Sequence, residues 1–178
     1  MNVDRAQWYR IADLLPEAAA AEVEDCWESG EQEAGLRLLV EGLLAFQIPV
    51  GEADRARIAV LTERWGVREL LAPGLLRCLG DGASAPVRLL DAETDGAELL
   101  PGGPGLPGLL LAPWIRCTRC GHYLLRAHRW EDWDDLSHDA EHYALTSADR
   151  STLLRTFPAD AVAEAFTELL DHCPAAVE

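Results

Sequence analysis

Apolar residues recur at helical spacing through the N-terminal part of the chain. The clearest run comprises Leu36, Leu39, Val40, Leu43 and Leu44. Because this spacing places the side chains on one face of a helix, the run predicts a helix packed against a core. Gly30 is expected to end the helix before it, Pro49 to interrupt the chain after it, and Gly66 to end the helix that follows.

Two more helices are predicted, one towards each end of the chain. Residues 4–15 carry Trp8, Ile11 and Leu15 at helical spacing, so these side chains would share a buried face. Near the other end, Pro158 suits the first position of a helix, because that position needs no backbone N–H. The apolar face of this last helix would comprise Val162, Ala165, Phe166, Leu169 and Leu170.

The helical pattern breaks at Pro73, and a different period follows. Segments 87–92 and 97–100 are apolar and flank Asp95 and Gly96, a dipeptide typical of two-residue hairpin turns. These two segments are therefore predicted to pair as a β-hairpin.

A second hairpin is predicted beyond a loop. Residues 101–108 are almost all glycine and proline, which support neither a helix nor a strand, so they predict a loop. Residues 109–116 then predict a strand, residues 117–121 a tight turn, and residues 122–128 a strand that returns antiparallel.

Helical spacing returns in the last fifty or so residues. Its first signal is the triplet Trp130, Trp133 and Leu136. A further helix, capped by Ser147, would carry Leu153 and Leu154. These elements predict an α+β protein with two domains. The first, residues 1–80, is a helical unit, and the second, residues 81–178, is a β-hairpin unit closed by C-terminal helices.

The stretch from Glu22 to Leu71 resembles the Maf-type immunity protein family, whose members bind and neutralise secreted polymorphic toxins in the producing bacterial cell and its kin. The matching pattern consists of a turn at residues 28–31, the segment 34–39, the segment 46–50 and the following helix as far as Leu61. The likeness covers roughly a third of the chain. It implies a helical toxin antagonist that works by binding its toxin.

Charge narrows the classes of partner. The formal net charge is −16, and all fifteen basic residues are arginine. The electrostatic field of this negative charge repels phosphate backbones and attracts basic proteins. Nucleic-acid binding is therefore disfavoured and a cationic protein partner is favoured. Simple solubility is the alternative meaning of the acidity. No segment has the form of a signal peptide or the length to span a bilayer, so we expect a cytoplasmic protein without a membrane partner.

The sharpest chemical pattern is Cys117-x2-Cys120-Gly121 followed by His138-x3-His142. Two thiolates three residues apart on a tight turn can hold one Zn²⁺, and histidines four apart on a helix project to the same side. The pattern predicts one structural zinc with Cys117, Cys120, His138 and His142 as ligands. A metal-free hairpin is the open alternative. Competing ligands are His122, His128, His172 and Cys173.

The other cysteines are expected to be structural. Cys26 lies on the predicted inward face of the second helix together with Val23 and Trp27, and Cys78 lies in a short apolar turn. Cysteine behaves as a small core residue in such positions. Five cysteines in a chain without an export signal also argue against a disulfide framework.

A second candidate site combines aromatic and acidic side chains. It comprises Trp130, Glu131, Asp132, Trp133, Asp134 and Asp135. Large aromatics among clustered carboxylates match the composition of an interface for a basic partner. The alternative is an ordinary amphipathic helix, with both tryptophans in the core and the acids in solvent.

No pattern indicates catalysis. The His-x-Glu of zinc deaminases is missing, and the segment 138–142 places its glutamate beside the second histidine, whereas helical metalloproteases need it beside the first. We therefore predict a non-enzymatic immunity protein that binds a cationic polymorphic toxin stoichiometrically. The alternatives are a zinc-dependent hydrolase or deaminase, and a non-enzymatic adaptor with a structural zinc hairpin.

Overall fold

The computed structural model describes residues 3–91 and 98–172, with side chains from residue 5 onward. Its helices are α1 (Val3–Ala12), α2 (Glu17–Ser29), α3 (Gln32–Ala45), α4 (Glu52–Arg64), α5 (Arg68–Arg77) and α6 (Val162–Asp171). Its strands are β1 (Val87–Leu89), β2 (Leu100–Pro101), β3 (Leu109–Cys117), β4 (Tyr123–Arg129), β5 (His142–Thr146) and β6 (Leu153–Pro158). The fold class is α+β, as predicted. Two compact units divide between Ser84 and Ala85.

The helical unit contains the predicted stripe on α3. Its buried members are Leu36, Leu39, Val40 and Leu43. Gly30 has a φ of 80°, a left-handed conformation that glycine adopts readily, and its N–H donates to the Trp27 carbonyl to close α2 as predicted. Trp8 of α1 is fully buried, and its Nε1 donates to the Val23 carbonyl at 2.8 Å. A side chain at Gly35 would collide with the Trp8 ring, so this close contact requires glycine.

Helix α5 continues through Pro73, whereas the sequence predicted a break there. Proline removes one helical hydrogen bond, the one to the Glu69 carbonyl, and Pro73 is exposed, so water can replace that bond. Buried Arg55 of α4 donates to the carbonyls of Leu75 and Cys78 at 3.3 and 3.0 Å. These bonds bring a buried donor to the carbonyl groups at the end of α5, of which that of Leu75 also accepts from the Cys78 N–H at 3.3 Å.

The sheet runs in the order β1, β3, β4, β5, β6, and β2 also pairs with β3. Strands β3 and β4 form the predicted antiparallel hairpin, with Leu111 opposite Ala127 and Arg116 opposite Tyr123. The turn between them falls where the sequence predicted it.

The predicted pairing of the two apolar segments before this hairpin is wrong within the described residues. Val87 lies opposite Cys117 and Leu100 opposite Leu111, so β1 and β2 each pair with β3. Strand β3 is nine residues long, so β1 and β2 can both pair along it. Neither short strand could offer the other as long a partner. The predicted two-residue turn at positions 95–96 lies outside the described residues.

Two of the helix predictions near the C-terminus are also wrong. Residues 130–136 form a loop, and Leu153 lies in strand β6, which pairs with β5. Ser147 donates to Asp149 within the turn between β5 and β6 and caps no helix. Strand pairing with β4 and its neighbours outweighs local helical spacing. The last predicted helix is confirmed as α6, although Pro158 ends β6 and α6 begins at Val162.

Helix α6 covers one face of the sheet. Residues that lie opposite one another across paired strands share a face, and this face includes Ile115, Leu124, Leu145 and Arg155. Arg155 donates to Glu168 of α6 at 2.6 Å, which places α6 against this face. The other face carries a cluster of Leu106, Leu109, Leu111, Leu125, Ala127 and Ala144. No helix in the described ranges is both long enough and apolar enough to cross a bilayer.

Candidate functional site

The chain leaves β4 through the segment from Trp130 to Leu136, which we call the Trp loop. A bridge between Trp130 and Leu136 closes it. Inside it, the Glu131 N–H donates to the Asp135 carbonyl at 2.8 Å, and the Asp134 N–H donates to the Glu131 carbonyl at 3.1 Å. Asp134 has a φ of 65°, which aspartate tolerates in tight turns. The first of these bonds runs opposite to the helical direction, so the segment is a compact turn and not the predicted helix.

Both tryptophans of the Trp loop project into solvent. Trp130 is 49% exposed and Trp133 is 68% exposed. The alternative in which they face the core is therefore wrong. The four carboxylates of the loop are Glu131, Asp132, Asp134 and Asp135, and none of the ion pairs in the described part of the chain involves them. The loop thus presents large aromatic surface beside uncompensated negative charge.

The base of the Trp loop is tied to β4. His128 is buried, and its Nδ1 donates to the Ser137 carbonyl at 2.8 Å. A carbonyl oxygen can only accept, so this contact requires the proton on Nδ1. The Ser137 N–H donates to the Arg129 carbonyl at 2.7 Å, and the Arg129 side chain pairs with Glu141 at 2.8 Å. These hydrogen bonds and this ion pair therefore hold the base of the Trp loop in place. The sequence did not predict them, because the residues involved form no recognisable local motif.

The four predicted zinc ligands are not brought together. Cys117 ends β3 and Cys120 lies in the following turn, which is at the Tyr123 end of β4. His142 lies opposite Ala127, four residues further along β4. At about 3.3 Å per residue, this separates the cysteine turn from His142 by roughly 13 Å along the strand.

The prediction that His138 and His142 project from the same side of a helix is also wrong. His138 is exposed in the loop between β4 and β5, and His142 begins β5. Across residues 3–91 and 98–172, no three His, Cys, Asp or Glu side chains already form a metal-binding group. The competing ligand His128 serves the Trp loop, whereas His122 and His172 meet near the cysteine turn with ring centroids 5.5 Å apart. Cys173 lies outside the described residues.

Cys26 and Cys78 are core residues, as predicted. Burial raises the pKa of the Cys26 thiol, and the nearby Glu31 carboxylate raises it further. Burial likewise raises the pKa of the Cys78 thiol, against a smaller lowering by Arg55. Both side chains are therefore neutral thiols near neutral pH and poor nucleophiles.

The helical unit has an open cavity of about 650 Å³ that the sequence did not reveal. It is lined by Gly30, Glu31, Gln32, Glu33, Ala34, Arg37, Leu38 and Trp65. Acidic and basic groups are mixed in this lining, and it contains neither histidine nor cysteine. The Trp65 indole Nε1 is buried and has no hydrogen-bond partner among the described residues.

Comparison of the chain with protein-family models, with curated proteins and with solved structures finds no significant match.

Proposed function

We propose that the protein is a toxin-neutralising immunity protein that binds a basic polymorphic toxin stoichiometrically, and that the Trp loop is part of its contact surface. The observation that carries the proposal is the exposure of Trp130 and Trp133 among four carboxylates that form no ion pair with the described residues. The resemblance of Glu22 to Leu71 to Maf-type immunity proteins supports the toxin as the partner. We further propose that the protein acts in the cytoplasm without catalysis.

The chemistry of the Trp loop suits a tight contact with a cationic protein. Tryptophan is enriched among the residues that dominate binding at interfaces, since one ring buries a large area for few rotatable bonds. Covering the exposed part of Trp133 would contribute on the order of 3 kcal/mol by area. The carboxylates accelerate encounter with a basic surface and select against acidic partners. A tight backbone turn also limits the ordering cost of binding.

Co-expression with the product of the neighbouring gene tests the proposal. An immunity protein should restore growth to cells that produce that toxin and should purify with it as a one-to-one complex. Trp133→Ala should weaken both rescue and complex formation. Phe46→Ala is the matched control, because Phe46 is 54% exposed but lies in the helical unit.

Three results would contradict the proposal. The first is the absence of both rescue and a complex with a toxic neighbour. The second is rescue through destruction of the toxin in substoichiometric amounts, which would indicate an enzyme such as the zinc-dependent hydrolase. The third is an equal loss of binding in Phe46→Ala, which would remove the Trp loop as a specific contact.

A further inference from the structure

Four side chains of types that ligate metals lie near the end of the sheet that is remote from the Trp loop. Cys117 and His122 are neighbours across the β3–β4 turn, since the Cys117 N–H donates to the His122 carbonyl at 2.8 Å. Cys120 lies in that turn, three residues after Cys117. His172 follows α6 directly, and its ring centroid is 5.5 Å from that of His122.

The sheet register directs Cys117 and His122 to one side. Cys117 stands two residues after Ile115, so both side chains point to the face that α6 covers. Arg116 lies opposite Tyr123, and extending this register by one residue sets Cys117 opposite His122 on that same face. The contact between His122 and His172 shows that the C-terminal end of α6 reaches this end of the sheet.

The turn has the form that a two-cysteine metal site needs. Gly121 has a φ of 79°, and its N–H donates to the Cys117 carbonyl at 3.1 Å, which folds the backbone tightly after the second cysteine. An added Cβ at Gly121 would come within 2.9 Å of the Ala148 Cβ, so no larger residue fits without a shift.

Both histidines are suited to ligation. The His122 Nδ1 is buried and has no hydrogen-bond partner among the residues that the structure describes. The His172 Nδ1 lies 3.7 Å from the Glu168 carboxylate, which leaves its Nε2 to face a ligand. A carboxylate behind a histidine is a common orienting group at zinc sites.

We propose that Cys117, Cys120, His122 and His172 bind one structural Zn²⁺. Two thiolates and two imidazoles complete the tetrahedral set that zinc prefers. These side chains are not yet gathered at ligand distances, so ligation turns them inward and joins the end of α6 to the β3–β4 turn. The site is independent of toxin binding, and its histidines differ from His138 and His142, the pair predicted from spacing.

Metal analysis of purified protein, prepared without chelator and exposed to Zn²⁺ alone, tests the ligand set. Wild-type protein should carry close to one zinc per chain. His172→Asn should weaken zinc binding by more than about 100-fold, beyond the effect typical of a residue that acts through a ligand. His172 is 44% exposed, so this variant is expected to fold. The matched control, His138→Asn with His142→Asn, should keep its zinc.

Cobalt substitution of the wild-type protein gives a second readout that does not depend on any variant folding. Cobalt bound by two thiolates should show sulfur-to-metal charge-transfer absorption and the intense bands of tetrahedral geometry. Wild-type protein that binds no zinc or cobalt would overturn the proposal. So would zinc retained in His172→Asn, or zinc lost in the control pair.

Discussion

Trp8 in the helical unit and Trp133 in the Trp loop show two opposite uses of the same residue type. Trp8 is fully buried, its indole N–H is bonded to the Val23 carbonyl, and its ring lies 5.4 Å from that of Trp27. Trp133 is mostly exposed, on a turn whose own backbone bonds hold its shape. The first indole stabilises the fold, and the second is available to a partner.

Acidic side chains in the two regions differ in the same way. In the helical unit, Glu28 pairs with Arg5 at 2.7 Å and accepts the Tyr9 hydroxyl at 2.7 Å. In the Trp loop, Asp134 and Asp135 have no ion pair in the described residues, although Asp135 accepts the N–H of the next residue. Glu28 is therefore held by local partners, whereas no described cation compensates the charge of Asp134 or Asp135.

The largest expected effect is at Trp8. Trp8→Ala should lower the free energy of unfolding by about 3–5 kcal/mol, because it opens a cavity and removes the buried indole hydrogen bond to the Val23 carbonyl. Urea denaturation measures this. Trp133→Ala should change the same quantity by no more than about 0.5 kcal/mol, since it removes an exposed side chain. Equal losses of unfolding free energy in the two variants would contradict the view that only the Trp8 indole stabilises the fold.

Binding should reverse the ranking of these tryptophans. With the proposed toxin partner, Trp133→Ala should raise the dissociation rate by about 30-fold, which corresponds to roughly 2 kcal/mol of affinity. The association rate should change little, because a neutral side chain adds nothing to long-range attraction. Surface plasmon resonance separates the two rates. A dissociation rate equal to that of Phe46→Ala would count against Trp133 as an anchor.

Charge reversal in the Trp loop should mainly lower the rate of association with the proposed basic partner. Asp134→Arg with Asp135→Arg should slow association about tenfold at low salt, and the difference should shrink as salt screens the field. The control is Glu22→Arg with Asp25→Arg on α2, which changes the net charge equally at exposed positions. Stopped-flow mixing at several salt concentrations measures both. If the control pair slows association as much, the loop has no special role in steering.

The smallest effect concerns Asp149, a carboxylate held inside its own turn. Hydrogen bonds from the Ser147 and Ser151 hydroxyls and from the Ser151 N–H lower its pKa from the ordinary 3.8 to about 2. Because the folded-state pKa is lowered, its contribution to stability is present above about pH 4 and is lost as the pH falls towards 2. Ser147→Ala with Ser151→Ala should move the pKa back towards 3.8.

Carbon-detected NMR titration of the Asp149 carboxyl measures this pKa directly. Asp134 of the Trp loop has no such set of hydroxyl donors and provides the comparison within the same spectrum. An Asp149 pKa that stays near 2 in the double variant would show that its lowering has another source.

Local sequence determined the elements whose signals depend on neighbouring residues. The α3 stripe from Leu36 to Leu43 specifies a helix face by spacing alone, and Gly30 ends α2 because few other residues adopt a positive φ readily. The β3–β4 hairpin was equally predictable, since a short turn joins two strands that pair with each other. In each case the decisive interactions join residues close together in the chain.

Tertiary structure decided the rest. Trp130, Trp133 and Leu136 have helical spacing, yet the hydrogen-bond partners offered by β4 draw the following chain into β5 and leave these residues in a turn. The meeting of His122 with His172, fifty positions apart, arises because α6 packs across the sheet. The spacing of residues along the chain does not predict such contacts, because pairing with a distant strand can outweigh the weak preference of a single segment for helix or strand.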